Sequence, residues 1–181
     1  AKAGNQILVL CDERPSPALR ILAEQLQAEI VAHPHEWVAE VDVIINAVFG
    51  DAALSIARKV LPIMKKGAIF ADFTTADPAH MKEAASLALT AGVGFVDVAI
   101  MGAVTASKSK TPLICAGQGA SAIRNLMYAA GAPIKVVGES AGDAAMLKLL
   151  RSIFTKGLEA LSIECLVVAD QKGLRSALYE V

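Results

Sequence analysis

Short β-branched runs alternate with helix-patterned stretches through most of this chain, and that alternation limits its fold more than any other feature. The runs are Ile7 to Cys11, Val43 to Ala47, Ala68 to Asp72, Phe95 to Ala99, Leu113 to Ala116 and Ile134 to Val137. Strand, helix, strand in succession builds a parallel sheet. Pro17, Asp51 and the pair Asp77-Pro78 mark helix starts, the last as an N-cap followed by proline at the first helical position. Gly67, Gly92 and Gly131 mark stops. Apolar residues make up 55% of the chain but aromatic ones only 4%, so the core is built from Ala, Val, Ile and Leu. That balance suits buried parallel strands and packed helices rather than an all-β fold. The expectation is α/β, with a doubly wound, mainly parallel sheet.

From about Asp143 to Lys172 the pattern changes to unbroken helical periodicity ending at Gly173. At 1.5 Å per residue such a helix is roughly 45 Å long, too long for a crossover. The sequence therefore predicts a sheet domain over 1–140 and, over 141–181, a long interdomain helix that begins an all-α C-terminal domain. Leu147, Leu150, Phe154, Leu158 and Leu161 form one stripe of the helix, and Lys148, Ser152, Thr155, Glu159 and Ser162 another. An apolar stripe of that length needs a cover, and a homodimer formed through the helical C-terminal region is the expected one.

Seventeen basic and 18 acidic side chains leave a formal charge of −1 with no long like-charge run. Nucleic acid and anionic membrane are excluded as partners on that ground, and a small-molecule substrate is expected. No apolar run approaches the roughly 18 residues of a membrane helix, and no targeting segment is visible. Cys11, Cys115 and Cys165 are widely spaced and odd in number, which points to neither a disulfide framework nor a zinc site and favours the cytoplasm. His33 and His35 flank Pro34 in a loop without an acidic or cysteine partner at ligand spacing; with His80 they read as surface residues, and no metal is expected.

In a doubly wound sheet, ligands sit outside the carboxyl ends of the strands. The residues there are Asp12, Glu13 and Arg14, then Asn46 followed by Ala47, Val48 and Phe49, then Asp72 followed by Phe73, Thr74 and Thr75. An acidic residue after the second strand of a dinucleotide-binding unit holds ribose hydroxyls, while an arginine there pairs a 2′-phosphate. Asp12 points to NAD and Arg14 admits NADP. A glycine-rich phosphate turn is absent near the amino terminus, where Ala1 to Asn5 read as the tail of a helix, so the first β-α unit is expected to be missing. A lookalike, Gly117-Gln118-Gly119-Ala120-Ser121-Ala122, follows the Leu113 to Ala116 run, with Glu139 about 22 positions on.

The segment Gly94-Phe95-Val96-Asp97-Val98-Ala99-Ile100-Met101-Gly102-Ala103 resembles the substrate-binding segment of β-hydroxyacid dehydrogenases, G-x-x-F/Y-x-D-A-P-V-S-G-G. The long helix is similar to theirs as well, with Lys148, Ser152, Glu164 and Gly173 at positions matching a catalytic lysine, an asparagine, a glutamate and a glycine. Thr74-Thr75 and the approach from Gly138 to Gly142 also have counterparts. The phosphogluconate-dehydrogenase-like branch of unassigned substrate shares the Ile-Met-Gly segment and the Lys-x-Leu-Arg-Ser helix start. The resemblance implies a Rossmann-like domain using NADP or NAD, Lys148 as general acid/base, and Met101, Gly102, Ala103 and Ser152 at the substrate. Met101 replaces the usual serine, Ala103 the second glycine and Ser152 the asparagine, and Gly142 to Lys148 is two residues longer than usual. A bulkier or less polar substrate is expected from these departures. The alternative is a catalytically inactive binding or oligomerisation module that has lost the phosphate-binding loop.

Overall fold

In a computed structural model that describes residues 6–180, the chain forms two compact units, one through Met146 and one from Leu147. Residues 1–5, read above as the tail of a helix, lie outside the described residues. The first unit runs β1 (Val9–Cys11), α1 (Pro17–Leu26), β2 (Glu29–Val31), β3 (Val43–Asn46), α2 (Ala53–Val60), β4 (Ile69–Asp72), α3 (Pro78–Ala91), β5 (Gly94–Ile100), α4 (Val104–Ser107), β6 (Leu113–Ala116), α5 (Ala120–Ala129) and β7 (Ile134–Gly138). It ends in the first turn of α6 (Asp143–Gln171).

Five strands hydrogen-bond in the order β3-β4-β5-β6-β7, and β1 and β2 form a separate parallel pair. The doubly wound, mainly parallel α/β architecture is the one expected, with two differences. The β2 strand was not foreseen, because it is three residues long, begins with Glu29 and follows a helix stopped by Gln27 in the left-handed conformation rather than by glycine. The β5–β6 pair is antiparallel. Between them lie only a four-residue α4 and a short 3-10 turn, too little helix to carry the chain back across the sheet.

Local chemistry explains the helix ends. Ser16 and Asp77 cap α1 and α3 with their side-chain oxygens, each followed by proline at the first helical position. Asp51 does not act as a cap: α2 begins at Ala53 without a side-chain hydrogen bond at its start. Nor does Gly67 stop α2, which passes at Leu61-Pro62 into a 3-10 turn.

The sheet separates two apolar layers. Phe70 and Phe95, stacked with ring centroids 6.0 Å apart, pack with Met81, Leu61 and Ala145 on one face. Ala71, Val96, Val98 and Ile123 pack on the face that carries α5. Strand β5 is central to both, and its five interior residues are all buried.

The second unit is the rest of α6 and a short α7 (Arg175–Leu178). Helix α6 stops at Gly173 (φ 67°), where the Gly173 and Leu174 amides turn back to the Asp170 and Ala169 carbonyls, a glycine-terminated C-cap. Its apolar stripe is solvent-exposed: Leu150 is 56% exposed, Phe154 70% and Leu161 62%. Among the described residues no helix is long and apolar enough to cross a membrane, and no group of three or more His, Cys, Asp and Glu side chains is placed to hold a metal.

Candidate functional site

A row of buried polar side chains ties the carboxyl ends of β3 and β4 to the middle of β5. Asn46, Asp72 and Asp97 are register partners across the three strands, and all are at most 5% exposed. The Asn46 Nδ2 donates to Asp72 Oδ2 at 2.9 Å. The other Asp72 oxygen accepts from the Thr74 amide and the Thr74 hydroxyl. Asp97 Oδ2 accepts from the Gly142 and Ala145 amides at 3.0 and 2.9 Å, capping α6, whereas Asp97 Oδ1 is buried with no hydrogen-bond partner among the described residues. Burial pushes the Asp97 carboxyl up to about 6, with the neighbouring Asp72 adding to the rise against the opposing helix amides. The sequence shows Asn46 and Asp72 at strand ends and Asp97 within a strand, but nothing in it says that they are buried together.

Around this row stand the loops expected to meet a ligand. Ala47, Val48 and Phe49 follow β3 and are exposed, the Phe49 ring at 86%. They are brought beside the β4 loop, since the Phe73 amide donates to the Asn46 carbonyl and a Cβ at Gly50 would lie 3.6 Å from Ala76. Thr74 commits its hydroxyl to Asp72 and accepts from the Ala76 amide, and Thr75 is held at φ 54°, a left-handed conformation uncommon for a non-glycine residue. Asp12, Glu13 and Arg14 are exposed after β1, on the separate strand pair. One Asp12 oxygen closes its own turn by accepting from the Arg14 amide at 2.8 Å. Glu13 lies 3.5 Å from His33, an acidic partner that spacing along the chain did not show; both are exposed, as are His35 and His80.

Met101, Gly102 and Ala103 follow β5. The Met101 amide donates to the Pro112 carbonyl, and its side chain packs with Ala99 and Ala144. Lys148 and Ser152 belong to the second unit, one turn apart on α6, and both are half-buried. Burial lowers the Lys148 pKa from the ordinary lysine value, which favours the neutral amine.

The Gly117-x-Gly119 lookalike is a packing device. Because β6 runs antiparallel to β5, its outgoing end reaches Phe95, near the start of β5 and away from the strand ends just described. The Gly117, Gly119 and Ala120 amides are already bonded to the Gly138, Phe95 and Gly117 carbonyls. A Cβ on Gly117, at φ 111°, would lie 2.6 Å from the Phe95 carbonyl oxygen. At Gly102 a Cβ would meet nothing nearer than 3.5 Å, so the fold does not demand glycine there. Gly117→Ala is therefore expected to cost about 2–3 kcal/mol in a urea melt. Gly102→Ala is expected to leave stability within about 0.5 kcal/mol of the parent.

Comparison with known proteins then decides the family. A family model described as the NAD binding domain of 6-phosphogluconate dehydrogenase matches residues 1–138. The chain belongs to that NAD-binding family. An uncharacterized 28.5 kDa protein of Methanothermus fervidus is 32% identical over 171 residues, 94% of this chain and 65% of that protein. A conserved protein of unknown function, described as structurally similar to 3-hydroxyacid dehydrogenases, superposes with a TM-score of 0.83 at 32% identity, over 98% of this chain and 66% of the other. A conserved hypothetical protein of Sinorhizobium meliloti gives 0.82 at 31% identity, over 96% and 59%. The chain thus spans less than two-thirds of each of these relatives. A 3-hydroxyisobutyrate dehydrogenase of Mycobacterium tuberculosis, 22% identical with a TM-score of 0.80, shares the fold.

The residues fit the cofactor in part. Exposed strand-end loops with Asp12, Arg14 and the open Phe49 ring suit a ribose and a planar ring. In the glycine-rich turn at 117–119 the Gly117 and Gly119 amides, which a pyrophosphate would need, already donate to the Gly138 and Phe95 carbonyls.

Proposed function

We propose that the protein is an NAD(P)-dependent oxidoreductase that moves hydride between the nicotinamide and a hydroxy acid or related alcohol. The observation that carries the reading is Lys148, half-buried on α6 with its pKa lowered by burial, in a chain of an NAD-binding family. A neutral lysine takes the hydroxyl proton as the alcohol is oxidised and returns it to the carbonyl oxygen in reduction. The nicotinamide, when bound, supplies or accepts the hydride. Ser152, one turn further on α6, hydrogen-bonds the same oxygen or a neighbouring substrate group.

Asp12 or Arg14 meets the adenosine ribose, and Ala47, Val48, Phe49, Thr74 and Thr75 line the cofactor at the strand ends. Met101, Gly102 and Ala103 face the substrate. With a thioether where relatives carry a hydroxyl, and with glycine where the fold does not require it, this segment suits a bulkier, less polar substrate. The exposed apolar stripe of α6 is covered by a second copy of the protein, and the three cysteines, free among the described residues, suit the cytoplasm. The Gly117 and Gly119 amides, already bonded within the protein, favour a second reading, a module that keeps the fold without catalysis.

Calorimetric titration of the intact protein with NADH and NADPH separates the two. Binding of either with micromolar affinity is expected, and Arg14→Ala weakens NADPH more than NADH. Binding of neither removes the oxidoreductase reading and leaves the module.

A further inference from the structure

Helix α6 is capped by a residue of another element. Ser16 and Asp77 cap α1 and α3 from the position just before each helix, but Gly142, at that position before α6, has no side chain to offer. The acceptor comes instead from Asp97, 45 residues back in the middle of β5, whose Oδ2 takes the Gly142 and Ala145 amides. A helix capped by its own neighbour keeps its cap wherever it lies. One capped by a strand keeps it only when seated on that strand.

Packing fixes the same turn. Ala144 and Ala145 are fully buried; Ala144 packs with Ala99, the next residue of β5 on the face of Asp97, and Ala145 joins the layer of Phe70 and Phe95. Gly142 is at φ 96°, and a Cβ there would lie 2.8 Å from the Pro78 carbonyl oxygen, so the start of α3 also bounds the seat. Between Met146 and Cys165 only Lys148 and Ser152 are half-buried, and they follow Ala145 by one and two turns on the same helix face.

Resting on the oxidoreductase reading for what Lys148 does, we infer that Asp97 is its positioning residue: by holding the first amides of α6 on β5, it fixes the height and rotation of the helix face that carries the amine. The strand that supplies this carboxylate leads directly into Met101, Gly102 and Ala103. One side chain thus joins the segment assigned to the substrate to the helix assigned to the proton.

Acetylation by acetic anhydride, followed across pH by peptide mass spectrometry, reads the Lys148 amine directly at a temperature where each variant is folded. It needs neither cofactor nor turnover, so failure to bind NADH and NADPH would remove the oxidoreductase reading without altering this result. Asp97→Asn and Asp97→Ala both remove the charge, and only the first keeps an acceptor oxygen. The labelling midpoint of Lys148 is expected to stay at the parent's in Asp97→Asn and to rise toward the ordinary lysine value in Asp97→Ala, as the face loosens and the amine meets water. A midpoint that moves equally in both would trace the effect to the lost charge, and one unmoved in folded Asp97→Ala would leave Asp97 a stability residue; either overturns the proposal. If Asp97→Ala does not fold, amide hydrogen exchange of the parent decides. The Ala145 and Met146 amides are expected to exchange no faster than those of β5, and exchange about tenfold faster or more, by fraying at the helix start, overturns the proposal.

Discussion

Lys148→Met is expected to lower kcat by about 10²–10⁴-fold while leaving NAD(P)H affinity and the melting temperature close to the parent's. Hydride transfer to or from an oxygen-bearing carbon needs a partner for one proton, and a half-buried amine of lowered pKa is suited to the task. Methionine keeps the length and apolar stem of the side chain and removes the proton-transfer group. The pH profile carries a sign. A neutral lysine is the base for oxidation, so kcat/KM for the alcohol rises with pH through the Lys148 pKa, which burial places below the ordinary lysine range. That limb is expected to disappear in Lys148→Met. Retention of full turnover at saturating substrate would remove Lys148 from the mechanism, whatever the protein binds.

The second large effect lies at Asp97 and concerns stability. Asp97→Ala leaves the Gly142 and Ala145 amides without their acceptor at the start of α6. At about 1–3 kcal/mol per stranded buried group, the loss is about 2–6 kcal/mol, and the melting temperature falls by roughly 4–24 °C. Asp97 also makes the protein sensitive to pH. Its folded-state pKa is about 6 against an ordinary 3.8, so between these values the folded chain keeps a proton that the unfolded chain gives up. The protonated form stabilises the fold; its contribution is complete below pH 3.8 and is lost as pH rises through about 6. A rise of about two units corresponds to about 3 kcal/mol in all, of which about 1–2 kcal/mol is lost between pH 5 and 7.5. Asp97→Asn keeps an oxygen for the helix amides and cannot ionise. Denaturant melts at the two pH values should differ less for Asp97→Asn than for the parent, and an unchanged difference would assign the pH dependence elsewhere.

Much of the fold was legible because its signals are local. Six strands, the helix start at Pro17, the cap Asp77-Pro78 and the end of α6 at Gly173 follow from periodicity, side-chain hydrogen-bonding capacity and the freedom of glycine to take positive φ. The misses have physical reasons. Asp51 is a residue type that often caps a helix, but α2 starts two positions later. Gly67 lies beyond a helix that Pro62 had already tightened into a 3-10 turn. His33 acquired its acidic neighbour, Glu13, through folding.

The candidate site divides in the same way. The sequence by itself determined the family, through the Gly94 to Ala103 segment and the Lys148-to-Gly173 spacing, because such motifs are strings of residue types that survive without coordinates. It also determined which loops follow strands, since strand ends are set by nearby residues. Only the tertiary structure decided that β6 reverses direction, and so turned a plausible phosphate loop at Gly117 and Gly119 into a glycine contact against Phe95. Only the tertiary structure placed Asn46, Asp72 and Asp97 in one buried row and left Asp97 with an unpaired oxygen. Direction, burial and register arise from contacts between residues far apart in the chain, and no local pattern of residue types records them.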